Sequence, residues 1–188
     1  MTAVEQPRKR DAERTRARIL DAAQAAFAQI GYAQAGIREI AGRAGVSSAL
    51  VDRYFGSKAG LFEAALRDAL RSPVSFDGER ATLGAVLAEV LAAPELDYRL
   101  PAMLVLSVGD AEARAITTRL TREHIIRPLA AWLGGSDAEA RATNLVMACT
   151  GFVLYSRQIP VSDGTPPVAT ASRNWLAATL QAIIDPPA

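Results

Sequence analysis

Residues 37–58 constrain the fold more than any other stretch, because glycines divide them into two short helical segments. The first segment is IREIAGRA, residues 37–44. A tight break follows at residues 45–47, GVS, and the second segment runs from about Ser47 to Tyr54. Two helices this short, joined by a turn that contains glycine, are typical of a helix-turn-helix, whose second helix enters the major groove of DNA.

Serines mark the start of the second segment and of the helix that follows it. Ser47 and Ser57 each precede a helical pattern, where a serine hydroxyl can accept a hydrogen bond from a free backbone N–H. Lys58 adds a positive charge beside the free N–H groups of the next helix, and this combination binds anions. We expect Val46 and Leu50 to be buried between the two short helices.

Helical spacing dominates the rest of the chain, and no alternation typical of a strand is evident. The first helix is expected to begin near Asp11 and to end before Gly31, which has the position of a C-terminal capping glycine. Ser136 and Glu139 have the spacing of a capping box, and Pro128 should kink its helix. The sequence therefore predicts an all-α protein of about nine helices, the later ones spanning residues 58–71, 79–92, 98–107, 110–133, 136–159 and 166–184.

Charge is distributed unevenly, although the formal net charge is only +1. Residues 1–60 contain ten basic and six acidic side chains, whereas residues 61–188 have a net charge of −3. A basic segment on a mildly acidic body suits a module that binds a polyanion, although a solvated tail has the same composition. We expect a helix-turn-helix DNA-binding domain with a basic arm at residues 1–57, joined by the fourth helix to a helical domain within residues 58–188.

Composition and motifs argue against an enzyme, a metal site or a cofactor. The chain has one cysteine, Cys149, and one histidine, His124, too few for a disulfide, a cysteine-based zinc site or most acid–base chemistry. It contains no HExxH, GxGxxG or phosphate-binding loop. It also lacks an 18-residue apolar run and a signal peptide, so we expect a cytoplasmic protein with no membrane partner.

The residue types of the second short helix suit contacts with DNA. Small residues at its start permit close approach, and serine hydroxyls bond bases or phosphates. Asp52 can accept from a cytosine amino group, Arg53 can reach a guanine or a phosphate, and Tyr54 offers a phenolic O–H to a phosphate. The alternative is a short solvated helix whose charges contact nothing. We expect DNA contacts from Arg38, Ser47, Ser48, Ala49, Asp52, Arg53, Tyr54 and Lys58.

The segment RTRARILDAAQAAFAQIGYAQAGIREIAGRAGVSSALVDRYFGSKAGLF resembles the N-terminal domain of TetR/AcrR-type transcriptional regulators. The resemblance spans the whole helix-turn-helix and is far more specific than the turn alone. The matching elements are Ile19-Leu20-x-x-Ala23, Phe27, Gly31-Tyr32, Ile37-Arg38-x-Ile40-Ala41, Ala44-Gly45-Val46-Ser47 and Tyr54-Phe55-x-Ser57-Lys58.

This resemblance implies a mode of action. Members of the family are usually homodimeric repressors, in which helices eight and nine of the two subunits form a four-helix interface. Their second domain usually holds a small-molecule pocket, and ligand entry shifts helix four and the spacing of the two reading heads. We therefore expect a homodimer through helices eight and nine, a double-stranded pseudo-palindromic operator and release by a small apolar ligand. The expected pocket residues are Leu66, Met103, Leu106, Ser107, Leu120, His124 and Phe152.

Three positions depart from the family's usual pattern. Gly36 and Leu50 stand where threonine is common, and Asp52 stands where tyrosine is common. Gly36 removes a hydroxyl that binds phosphate, and Asp52 brings a negative charge close to DNA unless it accepts from cytosine or orients Arg53. We therefore expect an operator unlike those of the better-known members. The alternative function is a helical protein-interaction module without sequence-specific DNA binding.

Overall fold

The computed structural model describes residues 5–71, 79–159 and 168–185, with side chains from Arg10 onward. Within these residues the fold is entirely helical, which confirms the predicted class, and it has nine helices. Helix α7 consists of three successive segments, Ala111–Thr121, a π-helical turn Arg122–Ile126, and Arg127–Leu133. The others are α1 Glu5–Gln34, α2 Ile37–Arg43, α3 Ser48–Phe55, α4 Lys58–Ala69, α5 Leu83–Ala92, α6 Arg99–Leu106, α8 Ala138–Val153 and α9 Thr170–Ile184.

Two short turns accompany these helices. A 3-10 turn, Arg80–Thr82, precedes α5, and a π-helical turn, Leu154–Gln158, extends α8. The helix end expected before Pro73 and the helix start expected at Pro166 both lie outside the described residues.

Helix α1 extends N-terminally to Glu5, so the predicted start near Asp11 is wrong. Pro7 lies in its first turn, where the missing N–H removes no intrahelical hydrogen bond. Gly31 interrupts the helical geometry with φ 75° and ψ 168°, a conformation that side chains disfavour. The predicted break at Gly31 is therefore confirmed, and one further helical turn continues to Gln34.

Two predictions about helix geometry have different outcomes. The expected kink at Pro128 takes the form of the π-helical turn just before it, in which the Arg127 N–H bonds the Arg122 carbonyl, five residues back. The capping box at Ser136 is wrong, because Asp137 occupies the N-cap of α8 and no side chain caps that helix. The Asp137 carboxylate instead accepts from the Arg141 Nε at 3.0 Å.

The described residues form two compact units. The first unit contains residues 5–71 and 102–119, and its largest buried side chains are aromatic. The rings of Phe27 and Phe62 lie 5.1 Å apart, and Tyr32 lies 5.2 Å from Phe62. Other buried residues of this unit include Ile19, Leu20, Ala23, Ile40, Val51, Leu61 and Leu66. The predicted domain boundary between residues 57 and 58 stays a prediction.

The second unit contains residues 79–101, 120–159 and 168–185. Its apolar core comes from α5, the latter part of α7, α8 and α9. Arg80 ties the ends of two of these helices together, donating to the carbonyls of Leu133 at 3.1 Å and Ile184 at 3.0 Å. The core residues include Leu83, Ala88, Leu129, Leu133, Ala142, Leu145, Val153, Leu176, Leu180 and Ile184.

Candidate nucleic-acid interface

The turn between α2 and α3 depends on Gly45, which has φ +63°. Backbone hydrogen bonds close the turn, from the Gly45 N–H to Gly42 O at 3.1 Å and from the Val46 N–H to Ala41 O at 3.0 Å. The guanidinium of Arg18 on α1 donates to the Ala44 carbonyl. The positive φ favours glycine here, and a Cβ at position 45 would lie 2.7 Å from that guanidinium and displace it.

Helix α3 starts as predicted and turns its polar side to solvent. The Ser47 Oγ accepts from the Leu50 N–H at 3.3 Å, which confirms Ser47 as the N-cap. Val51 is the residue buried against the unit, whereas Val46 and Leu50 are only half-buried. The prediction that Val46 and Leu50 are buried between α2 and α3 is therefore wrong. Because α3 starts at its Ser47 cap, the side chain at position 51 faces inward instead.

The eight residues expected to contact DNA lie in one unit, on α2, α3 and α4 and at the N-cap of α3. Ser48 is half-buried in the first turn of α3, while Ala49, Asp52 and Arg53 on the same helix are exposed. Arg38 is exposed in the first turn of α2. These five residues form a short, mainly polar surface on the outside of the helix-turn-helix.

Tyr54 and Phe55 at the end of α3 are both half-buried. The Tyr54 hydroxyl makes a long hydrogen bond of 3.4 Å to the Ala12 carbonyl on α1, which a phosphate oxygen can replace. The Arg16 guanidinium lies over the Phe55 ring, 5.5 Å from its centroid. The end of α3 is thus held against α1 by one polar and one cation–π contact.

Lys58 begins α4 and is already oriented by the protein. Its Nζ donates to the Ala33 carbonyl at 3.1 Å and lies 4.6 Å from the Tyr32 ring centroid. Ser57 caps the same helix, its Oγ accepting from the Gly60 N–H at 3.0 Å, as predicted. An ammonium group has three N–H donors, so Lys58 keeps donors for an anion beside the start of α4.

Tyr32 connects Lys58 to the start of α7. Its side chain is buried, and its hydroxyl donates to the Glu112 Oε2 at 2.6 Å. Burial and then this hydrogen bond raise the pKa of Tyr32 well above its ordinary value, so the phenol stays a neutral donor. No contact was predicted for Tyr32 from the sequence, although Gly31-Tyr32 is one of the elements that resemble TetR/AcrR-type regulators.

Arg14, Arg16 and Arg18 all lie well inside α1, because that helix begins at Glu5 rather than near Asp11. Arg14 forms an exposed ion pair with Asp11 at 3.1 Å. Arg16 lies over the Phe55 ring of α3, and Arg18 donates to the Ala44 carbonyl in the turn before α3. The long-range contact between Arg18 and residue 44 leaves no local sequence signal, which is why it was missed.

Comparison with known proteins agrees with this geometry. Residues 19–65 match the family model described as bacterial regulatory proteins, tetR family. Residues 82–185, more than half of the chain, match the model described as the tetracyclin repressor-like C-terminal domain.

The chain belongs to the TetR family.

Relatives within the TetR family support this assignment. The chain is 35% identical over 133 residues to the HTH-type transcriptional repressor SCO4008 of Streptomyces coelicolor, covering 68% of each protein. It is 35% identical over 82 residues to the HTH-type transcriptional regulator BetI 2 of Chromohalobacter salexigens. That match covers 38% of this chain and spans only 40% of the relative's length.

A solved structure shows the same fold. A transcriptional regulator of Saccharomonospora viridis, in complex with choline, superimposes with a TM-score of 0.65 at 19% identity, covering 90% of this chain and 96% of that one. This likeness confirms the fold, and the family matches confirm the predicted class: a helix-turn-helix, DNA-binding regulator of transcription. The TetR family consists of regulatory proteins.

The residues predicted to line an effector pocket fall in both units of this TetR-family chain. In the first unit, Leu66, Met103 and Ser107 are buried and Leu106 is exposed. In the second, Leu120 and Phe152 are buried and His124 is exposed. The pocket stays a prediction. In the part of the chain that the structure describes, no helix is long and apolar enough to cross a membrane, and no three acidic, histidine or cysteine side chains cluster in a way that suits a metal ion.

Proposed function

We propose that this TetR-family protein is a homodimeric repressor that binds a pseudo-palindromic operator through α3 of each subunit. The observation that carries the proposal is the orientation of α3. Val51 anchors the helix on one side, while Ala49, Asp52 and Arg53 are exposed on the other. A capped helix with an exposed polar side is what major-groove recognition requires.

The proposed contacts divide into two kinds. Ser47, Ser48, Asp52 and Arg53 supply base preference from α3, while Ala49 permits close approach because its side chain is small. Arg38, Tyr54, Lys58 and the basic arm within residues 1–18 contact phosphates and supply salt-dependent affinity. Within one dimer, the two copies of α3 then enter successive major grooves, about 34–36 Å apart.

Dimerisation through α8 and α9 is supported by exposed apolar side chains. Met147 on α8 is 58% exposed, Tyr155 in the turn that extends α8 is 56% exposed, and Trp175 on α9 is 57% exposed. Large apolar side chains left in water on two adjacent helices favour an interface with a second subunit. Because the dimer determines the distance between the two reading helices, it also determines the operator spacing.

Repression and release by a small apolar ligand complete the proposal. SCO4008 is a transcriptional repressor by name, and it aligns over two thirds of this chain. The Saccharomonospora viridis regulator is in complex with choline, which supports a small organic effector in this fold but, being a cation, not the apolar character proposed here. The dimer has two conformations, and in one of them the two α3 helices are wrongly spaced for DNA. A ligand that prefers that conformation shifts the population toward it, by an amount set by its difference in affinity for the two conformations. Such a regulator acts on chromosomal DNA, so the proposal places it in the cytoplasm.

The experiment that tests this proposal is a selection from a random duplex library with wild-type protein and with the variant Asp52→Asn. An asparagine amide can both donate and accept, so it suits adenine better than cytosine. We expect the enriched consensus to change at one symmetric pair of positions. Glu95→Gln removes an exposed carboxylate elsewhere and should leave the consensus unchanged. An unaltered consensus for Asp52→Asn would remove Asp52 from the base contacts, and no consensus for the wild type would refute the proposed function.

A further inference from the structure

We infer that Glu112 on α7 is a positioning residue for DNA binding, acting through Tyr32 to hold the Lys58 ammonium at the start of α4. The inference rests on the proposed function, because it takes Lys58 as a phosphate contact. It adds a link between the first turn of α7 and the DNA-binding surface. Neither the helix-turn-helix pattern nor the family match assigns Glu112 a role.

The Lys58 side chain depends on Tyr32 and its neighbour for its position. The Nζ lies 4.6 Å from the Tyr32 ring centroid and 3.1 Å from the carbonyl of Ala33. Both partners belong to the short turn that follows Gly31 in α1. A lysine side chain has four rotatable bonds and loses much entropy when ordered. Two fixed partners therefore reduce the entropy that Lys58 still has to lose when it contacts a phosphate.

Tyr32 is in turn held from both ends. Its ring packs against Phe27 and Phe62, with centroid distances of 6.0 and 5.2 Å. Its hydroxyl donates to the Glu112 Oε2 at 2.6 Å, a short bond of the kind that a carboxylate forms with an O–H group. Gly31 places the ring, since its φ of +75° breaks the helical geometry directly before Tyr32.

Glu112 is fixed by the start of its own helix. The Asp110 carboxylate accepts from the Glu112 N–H and from the Ala113 N–H, each at 3.0 Å. Ala113 is fully buried, which anchors this first turn to the unit. The backbone of Glu112 is therefore fixed, and its exposed side chain reaches Tyr32 from this anchored turn.

A displacement of this turn has a predictable consequence. Without Glu112, the Tyr32 hydroxyl has no partner that the structure provides, and leaving a buried donor unpaired is unfavourable. The ring then tilts to reach water or another acceptor, and the Lys58 ammonium loses the face on which it rests. A change in α7 thus weakens a phosphate contact at α4, within a single unit and without any change in α3.

The test compares Tyr32→Phe, Glu112→Ala, Glu112→Gln and the double variant Tyr32→Phe/Glu112→Ala with wild type, by titrating the selected operator at several salt concentrations. Tyr32→Phe keeps the ring and removes only the hydroxyl. We expect Tyr32→Phe and Glu112→Ala each to weaken operator binding about three- to tenfold, the magnitude of one hydrogen bond. The double variant should be no weaker than either single variant, because both remove the same link. Glu112→Gln keeps an acceptor oxygen and should bind like wild type.

The salt dependence and a control distinguish the positioning of Lys58 from a structural defect and from a general charge effect. Loss of the Lys58 contact should lower the slope of log affinity against log salt by about one, as Lys58→Met does. A purely structural defect leaves that slope unchanged. If Glu112 acted only through its negative charge, Glu112→Ala would bind the operator more tightly than the wild type. The matched control Glu95→Ala would then do the same.

Each outcome is decisive for one claim. If the wild type selects an operator but Tyr32→Phe and Glu112→Ala bind it as the wild type does, or with an unchanged salt slope, the inference is overturned while the proposed function stands. If the wild type selects no operator, the proposed function fails first.

Discussion

Gly45 determines the geometry of the reading head at the scale of a single residue. It combines a positive φ of 63° with an Arg18 guanidinium that would lie 2.7 Å from any Cβ. Making room for a Cβ would displace the guanidinium that donates to the Ala44 carbonyl. The turn between α2 and α3 therefore depends on a residue without a side chain and on one distant arginine.

The substitution Gly45→Ala should destabilise the protein by about 1–2 kcal/mol, because an L-residue is disfavoured in the left-handed region and its Cβ meets Arg18. Thermal or urea unfolding measures this. The matched control is Gly42→Ala in α2, where a Cβ meets nothing within 4 Å. It should be neutral or stabilising by about 0.5–1 kcal/mol. Equal effects of the two substitutions would contradict the role given to Gly45.

At the scale of whole helices, basic side chains repeatedly bind the carbonyl groups at helix C-termini. Arg157 donates to the carbonyls of Ala92 and Ala93 at the end of α5, at 2.8 and 2.9 Å. Arg141 reaches the Ile184 carbonyl at the end of α9 at 3.2 Å. These arginines satisfy carbonyls that have no partner within their own helix. Part of the positive charge outside the DNA-binding segment therefore has a structural role.

Arg80 is the clearest case, because it also lies over the Trp132 ring at 4.7 Å. Arg80→Met keeps an apolar stem but removes the donors to the carbonyls at the ends of α7 and α9. We expect a loss of about 1–2 kcal/mol in the free energy of unfolding, measured by urea denaturation. Arg127→Met removes an exposed arginine of α7 instead and should change stability by less than about 0.5 kcal/mol. The same loss from both variants would show that Arg80 acts only through general charge.

How well the sequence predicts an element depends on whether its determinants are local. Ser47 and Ser57 were predicted as N-caps because a cap involves residues three apart, and both are confirmed. The capping box at Ser136 failed because the helix begins one residue later and the Glu139 carboxylate accepts from Arg122 at 3.0 Å instead of turning back to the N-cap. The partner lies 17 residues away, so local spacing does not show it. The links from Arg18 to residue 44 and from Tyr32 to Glu112 join positions 26 and 80 residues apart. No local pattern indicates such pairs.

At the scale of the whole molecule, the proposed dimer makes a direct prediction. Trp175→Glu places a charge on the exposed apolar surface of α9, and burying that charge in an interface is unfavourable. The variant should sediment as a monomer of 19.9 kDa, while the wild type sediments at twice that mass. Val86→Glu alters an equally exposed apolar residue on α5 and should remain a dimer. A dimeric Trp175→Glu variant would place the interface elsewhere.

The central claim is that α3 recognises a DNA sequence, and a competition titration at physiological salt tests it most directly. Labelled duplex carrying the selected consensus is displaced with the same duplex unlabelled, or with a scrambled duplex of equal length and composition. Specific binding should exceed non-specific binding by a factor of about 10³ or more. Arg53→Ala should reduce that factor, because it removes a proposed base contact while leaving most phosphate contacts in place. Equal displacement by the two duplexes would contradict the account and favour a helical protein-interaction module instead.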